Sequence, residues 1–263
     1  MMSNSNILIA FCLTILAGLS TGIGSWLIFL TRHTSRSFLS FSLGLAAGVL
    51  LFVSFVELFP ESQQLFAHHA RQSSALLLTV LSFLGGLFFM TVVDFLLPHH
   101  HNDAASQMET HTIGQLKRIG YMIALAITLH NIPEGIAVFS VSISNYRLAL
   151  PIILAIIIHN IPLGMSISAP IYHATGKKGN ALVVSLLSGL ATPFGALLAW
   201  LFLLPYWTPI LEAVIFGAVA GTMVYVAINE LIPSAEQYGK HSLSRAGVLT
   251  GMGLMALAIL ILE

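Results

Sequence analysis

Long apolar runs separated by short polar connections constrain this chain more than any other sequence feature. A transmembrane helix needs about 20 apolar residues, because the hydrocarbon core is ~30 Å thick and a helix rises ~1.5 Å per residue. Only 8% of the residues are charged, against about 25% in soluble domains, and the mean hydropathy is +0.91. The sequence therefore predicts an all-α polytopic membrane protein. Eight runs are long enough to form its transmembrane helices: 7–30, 38–59, 74–97, 119–143, 149–171, 181–204, 210–232 and 246–262.

The basic residues predict how these eight spans are oriented. Cytoplasmic loops are enriched in Lys and Arg, so the side that holds more of them is expected to face the cytoplasm. The basic residues are concentrated in the loops that follow the first, third, fifth and seventh spans, which are therefore predicted to be cytoplasmic. Both termini then lie on the opposite, outer side. One side holds eight of the ten basic residues and the other holds two; the eight are Arg32, Arg36, Lys117, Arg118, Lys177, Lys178, Lys240 and Arg245, and the two are Arg71 and Arg147.

No connection is long enough to form a soluble domain, since the longest runs over roughly 98–118. Residues 1–263 are therefore predicted to form a single transmembrane domain. The formal net charge of zero leaves no basic surface for nucleic acid, and the lipid bilayer is the expected surrounding of the chain.

One motif occurs twice, once in the fourth span and once in the fifth. Residues 130–135 read His-Asn-Ile-Pro-Glu-Gly, and residues 159–164 read His-Asn-Ile-Pro-Leu-Gly. Ionisable side chains inside a membrane are costly, and they commonly mark an ion or proton path. Residues four apart share a helix face, so His130 and Glu134 project together, and an antiparallel neighbour brings His159 to the same depth.

These residue types suit a transition metal. Imidazole and carboxylate ligands together favour zinc, iron, manganese or cobalt over calcium and magnesium, which prefer shells of oxygen alone. We therefore expect a divalent metal ion to be held by His130, Glu134 and His159. Asn131 is a further candidate ligand, and Asn160 either binds the metal or forms a hydrogen bond between helices.

The two prolines of the motif add a second argument. Pro133 and Pro162 each remove one backbone hydrogen bond, which predicts that the fourth and fifth spans are kinked and that each frees a carbonyl. Transporters place ion sites at such interrupted helices near the middle of the membrane. For a single copy of the motif, the alternative is a proline with no functional role, since proline is common in membrane helices. Two copies that each begin with His-Asn favour a central metal site instead.

At these motifs the chain resembles the ZIP (Zrt-/Irt-like) family of divalent metal transporters, in particular its bacterial members. The resemblance implies a transported divalent metal, most simply zinc, a bacterial inner membrane and a homodimer. It also implies a His-bearing inner loop between the third and fourth spans. The resemblance rests on both His-Asn-Ile-Pro motifs and on four further segments, 46–50 and 57–60 in the second span, 188–196 in the sixth and 224–233 in the seventh.

The sequence departs from the family pattern at two positions. The resemblance implies a glutamate at the positions that Leu163 and Thr192 occupy, and there the family often binds a second metal ion. Leucine cannot bind a metal, and a neutral hydroxyl is a poor replacement for a carboxylate. The expected site is therefore mononuclear, with three protein ligands and open positions, which is typical of labile rather than structural zinc sites.

Other ionisable residues are weaker candidates. The resemblance makes Glu57 an outer access ligand, with a solvated helix end as the alternative, whereas Asp94 and Glu230 are candidates for an inner exit path. The histidines of the inner loop are candidates for loose metal binding, with a flexible solvated loop as the alternative; they are His99, His100, His101 and His111.

Two other functions stay open at this stage. An intramembrane zinc hydrolase would use the same His and Glu to activate water, but the chain lacks the His-Glu-x-x-His arrangement of such enzymes. A family member that binds metal without transporting it is the second alternative, because half of the usual site is missing. Metal uptake into vesicles distinguishes all three.

Overall fold

The computed structural model describes residues 4–30, 36–69, 71–96, 113–144, 146–238 and 241–262, and within these ranges it contains helices and short connections but no strand. The predicted all-α class is therefore confirmed. The α-helices are α1 (Asn4–Leu30), α2 (Arg36–Val53), α3 (Phe59–Ala67), α4 (Gln72–Leu96), α5 (Ile113–Ser144), α6 (Tyr146–Thr175), α7 (Lys178–Gly189), α8 (Ala191–Leu198), α9 (Pro209–Val226), α10 (Ile232–Tyr238) and α11 (His241–Leu262).

Seven helical stretches of the described chain are long and apolar enough to cross a membrane. Each coincides with one of the predicted runs. The remaining run, 149–171, lies within α6, whose 30 residues also exceed the length that a bilayer requires. The polytopic membrane class is confirmed, while the count of eight spans and the outward termini stay predictions.

Within the described ranges, three π-helical turns interrupt the regular helices. Ser54–Leu58 joins α2 to α3, Ala199–Leu203 follows α8, and Ala227–Leu231 joins α9 to α10. Such turns occur frequently at functional sites. By contrast, the α-helical assignment continues without a break through Pro133 and Pro162. The predicted kinks at these prolines stay predictions.

The helices form two groups. One group consists of α1, α5, α6, α7 and α8, and the other consists of α2, α3, α4, α9, α10 and α11. Small residues allow close packing within each group: a methyl group added at Gly18 of α1 would overlap the backbone carbonyl of Gly189 in α7. The groups meet mainly where α2 packs on α6 and α5 packs on α9.

The chain order gives the bundle two ends. We call the end at which α3 and α5 terminate the Ser144 face, and the end at which α1 and α6 terminate the Thr175 face. The half of the bundle nearer the Thr175 face has a continuous apolar core. Its largest fully buried side chains include Leu43, Leu50, Ile127, Leu163, Ile167 and Leu231.

Candidate metal centre

His130, Glu134 and His159 meet at one point in the centre of the bundle. Helix α5 presents the first two from consecutive turns, and α6 presents the third. Glu134 lies between the two rings, with Oε2 3.4 Å from His130 Nε2 and Oε1 3.5 Å from His159 Nε2. All three side chains are buried, with 0%, 3% and 1% exposure respectively. The spacing of the repeated motif therefore places the three predicted ligands together.

The distances suit a single ion. Two donor atoms that each lie ~2.1 Å from one tetrahedral zinc ion are about 3.4 Å apart. The two His–Glu separations are close to this value. One donor atom from each of the three residues lies within 4.8 Å of the others, so closing on an ion needs movements of about 1 Å or less.

The donor atoms of these residues have no hydrogen-bond partner among the described residues. This holds for both ring nitrogens of His130 and His159 and for both carboxylate oxygens of Glu134. Each buried polar atom without a partner costs about 1–3 kcal/mol, and more when it is charged. A divalent cation would compensate this cost, which is the strongest physical sign that the cluster is a binding site.

Asn131 and Asn160 form a matched pair beside the cluster. Asn131 Nδ2 donates a hydrogen bond to the Ser188 carbonyl at 2.9 Å, and Asn160 Nδ2 donates one to the Ala17 carbonyl at 3.0 Å. The bonds fix each amide by its nitrogen, and both Oδ1 atoms are buried without a hydrogen-bond partner in the described chain. The interhelical role considered for Asn160 is present, and its oxygen stays available to a ligand.

A cavity leads from the cluster towards the Ser144 face. Glu134 and His159 form its floor, and its walls come from the parts of α2, α5, α6 and α9 that lie nearer that face. The wall side chains include Val53, Val138, Ile156, Val219 and Met223, and Glu57 also lines the cavity. Beyond the cluster, the apolar core closes the half nearer the Thr175 face. The cavity therefore adjoins the cluster on the side of the Ser144 face, and the apolar core adjoins it on the other side.

The other predicted residues lie away from the cluster. Half-buried Glu57 lies in the π-helical turn Ser54–Leu58 and faces the cavity, which fits an access role better than a solvated helix end. Asp94 accepts a hydrogen bond of 2.7 Å from Tyr225 Oη, in the half nearer the Thr175 face. Glu230 lies in the π-helical turn Ala227–Leu231.

The loop histidines lie outside the described residues, so their binding role stays a prediction; they are His99, His100, His101 and His111.

Sequence reasoning missed two residues that contact predicted site residues or line the cavity. Tyr225 binds Asp94, and Met223 lines the cavity together with Glu134 and His159. Met223 follows Val219 at a spacing of four residues, so this helical spacing would have placed both on one face of α9.

Leu163 and Thr192 occupy the positions where the family resemblance implied glutamates. Leu163 is fully buried in the apolar core. Thr192 is fully buried as well, and its Oγ1 has no hydrogen-bond partner within the described ranges. Neither residue adds a charge to the centre of the bundle.

Comparison with known proteins identifies the family. The model of the family described as ZIP Zinc transporter matches residues 97–259. The chain is 48% identical to the zinc transporter ZupT of Streptococcus mutans, over 96% of this chain and 97% of that protein. It is 43% identical to ZupT of Nitratidesulfovibrio vulgaris, over 99% of both chains, and 44% identical to ZupT of Chlorobium limicola, over 98% and 99%. With a family model covering more than half of the chain and full-length relatives of this similarity, the protein belongs to the ZIP family of zinc transporters.

Proposed function

We propose that this protein imports zinc across a bacterial plasma membrane through the buried cluster of His130, Glu134 and His159. The observation that carries the proposal is that three buried ligands, whose donor atoms have no hydrogen-bond partner among the described residues, lie between a cavity on the Ser144 side and an apolar core on the other. The relatives, which are bacterial and named as zinc transporters, support the choice of membrane and metal. Iron, manganese, cobalt and cadmium transport and a homodimer stay predictions from ligand chemistry and resemblance.

The geometry explains how the site exchanges its ion. Zinc passes Glu57 and reaches Glu134 and His159 from the cavity, exchanging bound water for protein ligands. Three protein ligands leave a coordination position open, so the ion is not locked in as it is in a four-ligand structural site. Release then requires that the two helix groups move relative to each other, which opens the apolar core on the Thr175 side while the cavity closes.

Zinc flux into proteoliposomes tests the proposal. Vesicles that contain the purified protein should accumulate radioactive zinc faster than empty vesicles, and the rate should saturate with zinc concentration. Zinc binding without flux would support the non-transporting alternative instead. Zinc-dependent peptide hydrolysis without flux would support the hydrolase.

Sidedness is a separate prediction that follows from the distribution of basic residues. In a Cys12→Ala background, Gly179→Cys should react with a membrane-impermeant maleimide only after cells are opened, because Gly179 is exposed on the Thr175 face. A side chain at Gly179 meets no atom within 4 Å, so the substitution does not disturb packing. The control is Ser73→Cys, which is exposed near the Ser144 face and should react in intact cells. The reverse pattern would overturn the proposed orientation.

A further inference from the structure

The two halves of the second helix group repeat one another. Helices α2 and α9 each run for 18 residues, and each passes into a five-residue π-helical turn. Both turns contain the start of the same short sequence, Glu-Leu-Phe-Pro at 57–60 and Glu-Leu-Ile-Pro at 230–233. Helix α2 runs towards the Ser144 face and α9 runs away from it, so the repeat is inverted.

The first helix group repeats in the same way. Residues 17–21 of α1 read Ala-Gly-Leu-Ser-Thr, and residues 188–192 of α7 and α8 read Ser-Gly-Leu-Ala-Thr. Each copy accepts the hydrogen bond of one motif asparagine, at Ala17 and at Ser188. The copies touch each other at their equivalent glycines, Gly18 and Gly189, each of which lies against the carbonyl of the other.

Helices α5 and α6 are also equivalent to each other, because each packs in the same way on one copy of this repeated segment. Gly135 of α5 lies against the Thr192 carbonyl, and Gly164 of α6 lies against the Thr21 carbonyl. An approximate two-fold relation therefore exchanges α5 with α6, and it also exchanges the Ser144 face with the Thr175 face. Inverted repeats of this kind allow a transporter to open to either side of one fixed site.

The two-fold relation matches residues around the cavity with residues in the sealed half. The cavity is lined by Val53, Glu134, Val138, Ile156, Val219 and Met223. Their equivalents, in the same order, are Val226, Leu163, Ile167, Ile127, Ala46 and Leu50, and all six are 0% exposed. The apolar half nearer the Thr175 face thus contains the equivalents of the cavity wall, and all of them are buried in the core.

The repeat keeps a glutamate at Glu57 and Glu230, but it fails at the charged position beside the two histidines. His130 and His159 are equivalent and identical, but the equivalent of Glu134 is Leu163. We propose that Leu163 makes the metal site one-sided: zinc meets a carboxylate and an imidazole from the Ser144 face, but a leucine and an imidazole from the Thr175 face. This inference rests on the proposed transport function and concerns the direction in which the site captures its ion.

The expected consequence is unequal capture of zinc from the two sides. A carboxylate at the opening raises the local concentration of a divalent cation, whereas leucine does not. The zinc concentration that gives half-maximal flux should therefore be lower from the Ser144 side, by roughly tenfold. Release towards the Thr175 side is favoured for the same reason, because Leu163, unlike Glu134, has no oxygen that could hold a departing ion.

The test measures zinc flux in both directions through proteoliposomes whose protein orientation is scored by labelling of Gly179→Cys. The protein with its wild-type residues at 134 and 163 should reach half-maximal flux at a lower zinc concentration from the Ser144 side than from the Thr175 side. The double variant Glu134→Leu with Leu163→Glu moves the carboxylate to the equivalent position on the other side, so the order of the two concentrations should reverse. A swapped variant that transports with the original order would overturn the proposal.

The two-sided measurement on the unswapped protein decides the matter even where the double variant does not fold. Equal half-saturating concentrations from both sides would contradict the one-sided site while leaving zinc transport intact. Absence of zinc flux in either direction would instead contradict the proposed function, and the inference with it. Leu163→Ile is the matched control, because it keeps an apolar side chain of the same volume without a donor atom and should preserve the wild-type order.

Discussion

Replacing either Glu134 or His130 with alanine is expected to weaken zinc binding by at least about 100-fold and to reduce uptake to the level of empty vesicles. Even groups that only orient a metal ligand typically cost 10–100-fold in affinity when they are removed, and these residues are predicted to bind the ion directly. No other described His, Cys, Asp or Glu lies close enough to form a second cluster with the remaining ligands. Titration calorimetry and radioactive zinc uptake measure the two effects.

Thr128→Ala is the matched control for this pair of variants. Thr128 lies on α5 two residues before His130, and its hydroxyl donates only to the Ala124 carbonyl one turn earlier in the same helix. Its removal should leave binding and uptake close to those of the wild type. Retention of wild-type uptake by Glu134→Ala would contradict the predicted role of the carboxylate.

Introducing two carboxylates is expected to create a second metal position. The double variant Leu163→Glu with Thr192→Glu adds them where the resemblance implied glutamates. The second ion is expected to bind there if the oxygens of Asn131 and Asn160, which have no hydrogen-bond partner in the described chain, face the same position. Two bound zinc ions per chain are expected, against one in the wild type, because new buried charges need a cation or a proton to be tolerated.

Metal content after gel filtration, measured by mass spectrometry, gives the number of ions for each protein. The single variant Thr192→Glu is the control, since one new carboxylate should hold a second ion only weakly. A double variant that is folded but still binds one zinc ion would show that these positions do not face a common second site.

The metal cluster was predictable because its geometry is local. His130 and Glu134 lie four residues apart on one helix, and the repeated motif identifies the neighbouring helix that carries His159. The apolar runs likewise predicted the helices. A charged side chain is costly inside a membrane, so the segments that cross it are recognisable as long runs with few or no charges.

The irregular and long-range features were not predictable in the same way. A π-helical turn changes the helix by a single residue, so the hydropathy pattern around Glu57 or Glu230 does not reveal it. The side of the cluster on which the cavity lies was hidden as well, because the equivalent residues on the two sides are mostly apolar in the sequence. The pairing of the halves is shown by contacts in the folded chain, such as those of Gly18 with Gly189 and of the two asparagines with α1 and α7.

Zinc anomalous diffraction from crystals of the wild-type protein tests the central claim most directly. The claim is that one metal ion binds between α5 and α6, held by His130, Glu134 and His159. An anomalous difference map should show a single fully occupied peak about 2.0–2.2 Å from a nitrogen of each ring and from a carboxylate oxygen. Zinc peaks only elsewhere, or two adjacent full peaks at the cluster, would contradict it.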